Sequence, residues 1–150
     1  MMVKMMKKII FGLAALVLLG TVTANAQDKN VWKSLSDVSY KVSEDNFGEL
    51  YVPVFSEESK KLEGTVVEAD GYIIPFEGMF KPEHIILSSL PLAECFFCGS
   101  GGPETVMEVM LTDPIKYTSK RVKVRGKLVL NGNDPEKLMY ILKEAKLVSE

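Results

Sequence analysis

The chain has 150 residues, with 18 lysines and arginines against 20 aspartates and glutamates, and its formal net charge is −2. Its first 26 residues contain three lysines and no acid, so the rest holds 15 basic and 20 acidic residues, a net charge of about −5. This length predicts one domain preceded by a targeting segment. A mildly acidic domain lacks the overall positive charge that attracts nucleic acid or anionic lipid, so we expect no nucleic-acid partner.

The N-terminus has the three parts of a secretory signal peptide. Three lysines precede an apolar segment at 9–20, and residues 21–26 are small or polar and end in Ala-Asn-Ala. This spacing is typical of a signal-peptidase site and predicts a signal peptide at 1–26, cleaved between Ala26 and Gln27. The apolar segment is shorter than the roughly 20 residues of a membrane-spanning helix. The mature chain is therefore predicted to be periplasmic and to have no membrane span.

Residues 27–55 are predicted to form an extension that packs on the main domain. A short apolar cluster around Trp32 is typical of one helical turn, and the tryptophan is expected to close the end of a small core. Apolar and polar residues alternate over 38–43, which predicts a strand. Residues 50–55 are extended, and Pro53 restricts them to a sheet edge because proline donates no backbone hydrogen bond.

Residues 56–150 are predicted to form the main domain, and five strands account for most of it. These segments are 62–75, 84–90, 104–112, 120–131 and 138–148. The clearest is 120–131, where apolar and basic residues alternate as in an antiparallel strand with one face in solvent. A helix is the alternative for 104–112 and for 138–148, and in the latter the alternation slips before Ala145.

The first of these strands is long and is interrupted by glycine. A long first strand that bends at a glycine is what a small closed barrel requires. We therefore expect an all-β fold, a small five-stranded OB-like barrel with the N-terminal extension packed on it. Both a meander and a Greek-key order of strands are compatible with the pattern.

The segment 95–104 differs from ordinary core and ordinary surface because it combines both cysteines with three of the 11 glycines. We predict that this loop is a recognition or structural element. Its candidate residues are Cys95, Phe96, Phe97, Cys98, Gly99, Gly102, Pro103 and Glu104. One phenylalanine is expected to dock on the barrel end and the other to be exposed, with burial of both as the alternative.

Two cysteines two residues apart can form a disulfide, half of a metal site or a redox dithiol. A Cys95–Cys98 disulfide suits an oxidising compartment. Zinc or another soft divalent metal would use both thiolates, with His84 and Glu94 as weaker candidate ligands, since a structural zinc site needs four. A redox dithiol has weaker support, because no helix can begin directly after Cys98 and no Lys, Arg or His lies within ten residues of the pair.

Short segments spread over 53–147 form a characteristic set. They are Leu-Glu-Gly-Thr-Val-Val at 62–67, Gly-Tyr-Ile-Ile-Pro at 71–75, Leu-Ser at 87–88, Cys-Phe-Phe-Cys-Gly at 95–99, Gly-Pro-Glu at 102–104, Val-Arg-Gly at 124–126 and Tyr-Ile-Leu at 140–142. In this set the chain resembles DUF3299, a family of exported bacterial proteins of unknown function, in the branch typical of Bacteroidota. The resemblance implies an OB-like barrel in the periplasm, and it supplies no catalytic residues. Some relatives sit near metal-uptake or export machinery, which leaves a connection with metals open.

We therefore expect an exported, non-enzymatic binding or accessory domain whose 95–104 loop recognises an exported protein or a small ligand. The sequence has neither the spacing of a phosphate-binding loop nor a supported Ser-His-Asp set, so no catalytic residue is assigned. Two alternatives stay open. One is a periplasmic metal-binding accessory protein that uses Cys95 and Cys98, and the other is a thiol-disulfide oxidoreductase.

Overall fold

The computed structural model describes residues 30–45, 48–75 and 82–150. The signal peptide predicted at 1–26, with its cleavage site, and most of the loop predicted at 76–83 lie outside these residues. Within the described ranges, no helix combines the length and the apolar character needed to cross a membrane.

The described residues form two short α-helices and seven strands. The elements are α1 Val31–Leu35, β1 Val38–Asp45, β2 Gly48–Phe55, α2 Glu57–Leu62, β3 Val66–Ile74, β4 His84–Ser88, β5 Val106–Leu111, β6 Arg121–Leu130 and β7 Tyr140–Ser149. Single turns of 3-10 helix occur at Leu92–Glu94, Phe96–Cys98 and Pro103–Thr105. Both segments for which a helix was the alternative are therefore strands, β5 and β7.

Five strands close into a barrel in the order β3-β4-β5-β7-β6. All neighbours are antiparallel except β5 and β7, which run parallel. This is the strand order of an OB-type barrel, and it confirms the predicted all-β, five-stranded OB-like fold. A meander is ruled out, because β5 pairs with β7 rather than with the next strand in the chain.

The first barrel strand changes partners near a glycine. β3 pairs with β6 as far as Tyr72 and with β4 from Tyr72 onward, so it serves two sides of the barrel. Gly71 lies at this change, and a Cβ added there would overlap the carbonyl oxygen of Ser88. Only glycine allows the two strands to approach so closely.

The N-terminal helix closes one end of the barrel core. Val31, Trp32 and Leu35 of α1 are buried with the inward-facing residues of the barrel strands. The Trp32 indole N–H donates to the backbone oxygen of Asp70 at 2.8 Å, and the Tyr140 hydroxyl donates to the backbone oxygen of Leu35 at 2.6 Å. The prediction that Trp32 closes the core is confirmed.

The last two strands are joined through a β-bulge. Two residues of β7, Glu144 and Ala145, stand opposite one residue of β6, Gly126. Glu144 adopts the left-handed region with φ of 51°, and a Cβ added to Gly126 would lie 2.8 Å from the carbonyl oxygen of Lys143. Glycine therefore makes room for the extra residue. The bulge accounts for the slip in alternation before Ala145.

Candidate recognition site around the cysteine loop

The cysteine loop, residues 95–104, connects β4 to β5 through tight turns. The backbone N–H of Cys98 donates to the oxygen of Cys95 at 3.0 Å, and that of Gly99 donates to the oxygen of Phe96 at 3.1 Å. Gly99 then takes a left-handed φ of 91°, which an L side chain rarely adopts. The Cys-x-x-Cys-Gly spacing thus encodes one 3-10 turn and its termination.

The end of the loop is closed by a threonine. The Thr105 backbone N–H donates to the oxygen of Gly102 at 3.0 Å, and its hydroxyl donates to the same oxygen at 2.6 Å. The Thr105 oxygen in turn accepts the backbone N–H of Ser89 at 2.9 Å. The Glu104 side chain folds back over Gly102, where an added Cβ would overlap its carboxylate. These contacts fix the loop to the end of β4 without any covalent link.

The two thiols are adjacent but differ in exposure. Cys95 is buried, Cys98 is exposed, and their sulfur atoms are 3.4 Å apart as free thiols. The Cys98 thiol also donates to the backbone oxygen of Leu92 at 2.9 Å. The hydrogen bond with Cys95, then desolvation and the neighbouring thiol's charge, raises the pKa of Cys98 above its ordinary value. A raised pKa means less thiolate at neutral pH, which counts against a redox or nucleophilic role.

The weaker candidate metal ligands are not gathered around the thiols. The His84 Nε2 atom lies 3.0 Å from a carboxylate oxygen of Glu108, and the other carboxylate oxygen accepts the backbone N–H of Leu138 at 2.7 Å. Among residues 30–45, 48–75 and 82–150, no three or more His, Cys, Asp or Glu side chains form a group that could hold a metal. His84 and Glu94 therefore do not complete a site with the two cysteines.

The two phenylalanines of the loop point to different environments. Phe96 is half-buried, whereas Phe97 is 42% exposed, so the two do not form a buried plug. Their ring centroids are 5.1 Å apart with planes inclined at 69°, an edge-to-face arrangement that holds both rings in place. The predicted exposure of one ring is confirmed for Phe97, and the alternative that both rings are buried is wrong.

A groove of about 310 Å³ runs between the cysteine loop, the β1–β2 hairpin and the loop between β6 and β7. Phe96 and Pro103 line it from the cysteine loop, and Tyr40, Tyr51 and Pro53 line it from the hairpin. Tyr40 and Tyr51 are 39% and 61% exposed, so their rings remain accessible from the solvent. The groove therefore has aromatic and proline surfaces on two of its sides.

The third side of the groove is held in shape by Asn131. Its side-chain oxygen accepts the backbone N–H groups of Asn133 and Asp134 at 3.3 and 3.0 Å, and its amide nitrogen donates to the backbone oxygen of Asp134 at 2.8 Å. The Asn131 backbone N–H closes the loop on the oxygen of Met139 at 2.8 Å. Such side-chain to backbone bonds make a preformed rather than an adaptable wall.

Sequence reasoning found Phe96 and Pro103 but missed the other two walls of the groove. The only signal for the hairpin wall was one tyrosine in each of the two predicted extended segments, 38–43 and 50–55. The signal for the third wall was the Asn-Gly-Asn-Asp turn at 131–134, which indicates a turn but not what it faces.

No protein-family model matches the chain, and neither a curated protein nor a solved structure matches it. The resemblance to DUF3299 accordingly stays a prediction.

Proposed function

We propose that this protein is an exported, periplasmic, non-enzymatic binding module that captures an extended segment of a protein partner in the groove beside β2. The observation that carries the proposal is an open strand edge facing an aromatic groove. The resemblance to exported DUF3299 proteins and the predicted signal peptide support the location. The proposal assigns no catalytic residue.

The strand edge supplies the backbone part of recognition. β2 pairs only with β1, and outside that pairing it makes no backbone hydrogen bond within the part of the chain that the structure describes. A Cβ on Gly132 in the opposite wall would lie 3.9 Å from the Pro53 backbone oxygen, so the loop after β6 covers the edge at Pro53. The edge that stays open beside the groove is residues 50–52. An extended peptide can add to such an edge as a further strand, with affinity from main-chain hydrogen bonds.

The aromatic walls supply the side-chain part of recognition. Tyrosine and phenylalanine are enriched among the residues that dominate binding energy, because they bury a large area with few rotatable bonds. Burial, and then the nearby Glu104 carboxylate, raises the pKa of Tyr40. Its hydroxyl lies 4.0 Å from the Met139 sulfur, a weak acceptor that a carbonyl oxygen of a bound peptide would replace.

The test is selection of a phage-displayed library of random linear peptides against the mature protein. We expect enriched sequences that bind the wild type and lose at least about fivefold in affinity with Phe96→Ala or Tyr51→Ala. Val66→Ala is the matched control, because Val66 is 60% exposed and lies outside the groove. Unchanged affinity of all enriched peptides for the Phe96 and Tyr51 variants would refute the groove as the site.

Strand addition has its own test, made on the same peptides. In an added strand, every second backbone N–H points toward β2 and the others point away from it. Methylating one alternate set of nitrogens therefore removes the hydrogen bonds to β2, whereas methylating the other set leaves them intact. We expect one methylated series to lose binding and the complementary series to keep most of it. Equal tolerance of both series would show that the peptide binds by its side chains alone.

A second candidate function is binding of a soft metal ion by Cys95 and Cys98. It rests on the adjacency of the two thiols, whose sulfur atoms are 3.4 Å apart and would separate to about 3.8 Å around a tetrahedral zinc ion with bonds of about 2.3 Å. Native mass spectrometry of protein purified from periplasm without chelator would detect a bound ion. The same metal content in a Cys95→Ser, Cys98→Ser double variant would exclude these thiols as the ligands.

A further inference from the structure

The positive charges of the mature chain are concentrated on one side of the barrel. Six of its 15 basic residues lie on β6 and β7, and the name basic face is used for this set, Arg121, Lys123, Arg125, Lys127, Lys143 and Lys146. The strands of this part of the barrel also carry three acids, Glu68, Asp70 and Glu144. The remaining nine basic and 17 acidic residues after residue 26 lie elsewhere, so the rest of the mature chain is strongly acidic.

The β-bulge is what brings β7 into the basic face. Arg125 opposes Lys146 and Lys127 opposes Lys143 across the strand pair. Without the extra residue, positions three apart in a strand would point to opposite faces. Because the bulge intervenes, Lys143 and Lys146 are both exposed while Ala145 between them is buried. The two lysines thus extend the row of cations from β6 onto the neighbouring strand.

Most of these cations have no counter-charge bound to them. Arg121 is paired, with its guanidinium 2.7 Å from the Asp70 carboxylate and over the ring of Tyr72. By contrast, the part of the chain that the structure describes gives no ion pair to four members, which are Arg125, Lys127, Lys143 and Lys146. Glu68 stands across the strand pair from Arg125 but forms no such contact. Four cations are therefore available to an external anion.

Three of the four unpaired cations line a shallow depression of about 440 Å³. Arg125, Lys127 and Lys146 line it together with Glu144 and two valines. The valines, at 66 and 148, are 60% and 51% exposed. Cations next to accessible apolar side chains match the boundary of a bilayer, where headgroup phosphates lie beside acyl chains. A soluble polyanion could contact the cations but has no acyl chains to contact the exposed valines.

We propose that the basic face docks on membranes that contain anionic phospholipid, with a headgroup phosphate in the depression. The acidic remainder of the molecule is repelled by the same surface, so docking selects one orientation. The groove proposed for peptide binding shares no lining residue with the depression, and a membrane-docked molecule can still present it. The inference does not depend on the peptide-binding proposal.

The experiment is co-sedimentation of the mature protein with vesicles of phosphatidylglycerol and phosphatidylcholine in equimolar mixture, at about 0.1 M salt. We expect binding to these vesicles, little binding to pure phosphatidylcholine, and release at about 1 M salt. A Lys143→Glu, Lys146→Glu variant should bind at least about tenfold more weakly. An Arg125→Gln, Lys127→Gln variant, which leaves the bulge unaltered, should also bind more weakly.

The matched control is Lys33→Glu, Lys41→Glu, which makes the same change in net charge at exposed positions outside the depression. Its binding should stay within about twofold of wild type. The intrinsic fluorescence of Trp32 verifies that each variant is folded. The proposal is overturned if the wild type does not sediment with anionic vesicles, or if the control loses as much binding as the Lys143 and Lys146 variant. Binding to soluble polyphosphate without binding to vesicles would also overturn it.

Discussion

Replacing Tyr140 with phenylalanine isolates one buried hydrogen bond between the two ends of the described chain. Tyr140 is fully buried, and its hydroxyl donates to the backbone oxygen of Leu35 at 2.6 Å. Phenylalanine keeps the ring and its contact with Phe55, whose centroid lies 5.9 Å away, but leaves the Leu35 oxygen without this donor. A buried acceptor left unpaired costs about 1–3 kcal/mol. At roughly 4 °C per kcal/mol for a domain of this size, the melting temperature should fall by about 4–12 °C.

The same hydroxyl makes the free energy of unfolding depend on pH at the alkaline end. Burial, and then the charges of Tyr40, Glu104 and Asp37, raises the pKa of Tyr140 above its ordinary value of 10.0. Above pH 10.0 the unfolded chain releases this proton while the folded protein retains it. The folded state then binds more protons, so stability is fully present below that pH and falls as pH rises. Tyr140→Phe should lack this part of the alkaline decline.

Both effects can be measured by urea denaturation followed through Trp32, the single tryptophan. Tyr51→Phe is the matched control, because Tyr51 is 61% exposed and its hydroxyl donates to the neighbouring Glu49 carboxylate at 3.4 Å. We expect the control to be within about 0.5 kcal/mol of wild type. A Tyr140→Phe protein as stable as wild type at neutral pH would show that the hydrogen bond is not what attaches α1 to the barrel.

Three further predictions concern other parts of the barrel and the cysteine loop. Gly71→Ala should lower the unfolding free energy by about 1–3 kcal/mol, because the added methyl group overlaps the backbone carbonyl of Ser88 in β4. Gly132→Ala, whose methyl group would meet nothing closer than 3.6 Å, is its control, and equal melting temperatures of the two would contradict the close approach. With Ellman's reagent, exposed Cys98 should react before buried Cys95, and more slowly at neutral pH than free cysteine because its pKa is raised. Two thiols reacting at one rate would be inconsistent with this loop structure. Glu108→Ala should lower the unfolding free energy by about 1–3 kcal/mol, since the buried carboxylate accepts the backbone N–H of Leu138 in the loop after β6. Glu108→Gln should lower it less, because the glutamine side-chain oxygen can accept the same hydrogen bond. Equal melting temperatures of the alanine variant and wild type would argue against that hydrogen bond.

The positions of the barrel strands could be predicted from the sequence because each strand buries one face. From Arg121 to Leu128, β6 alternates basic residues with apolar residues or glycine, and this pattern specifies which side faces the core. The slip before Ala145 coincides with the bulge, although the slip was equally compatible with a helix over 138–148. The sequence also predicted that the first barrel strand bends at a glycine, and Gly71 lies where β3 changes from β6 to β4 as its partner.

Strand order and the groove could not be predicted, because both depend on contacts between distant segments. Alternation shows that β5 has buried residues but contains no information on its neighbour, which is the parallel strand β7. The groove joins Tyr40 to Phe96 and to a loop more than 30 residues beyond it. Each wall has an ordinary local pattern, and only the closed barrel places the hairpin, the cysteine loop and the last turn side by side.

The charge of this protein shows why a property of the whole chain can mislead about a local site. A net charge of about −5 after residue 26 predicts no attraction to anions. At 0.1 M salt, charges interact through water over a Debye length of about 10 Å. An anion at the protein surface therefore responds to the charges near it and not to the net charge of the whole chain. β6 places its cations at every second position, and the bulge adds Lys143 and Lys146 beside them. The charge is therefore concentrated by strand alternation together with a backbone irregularity, and composition reports neither.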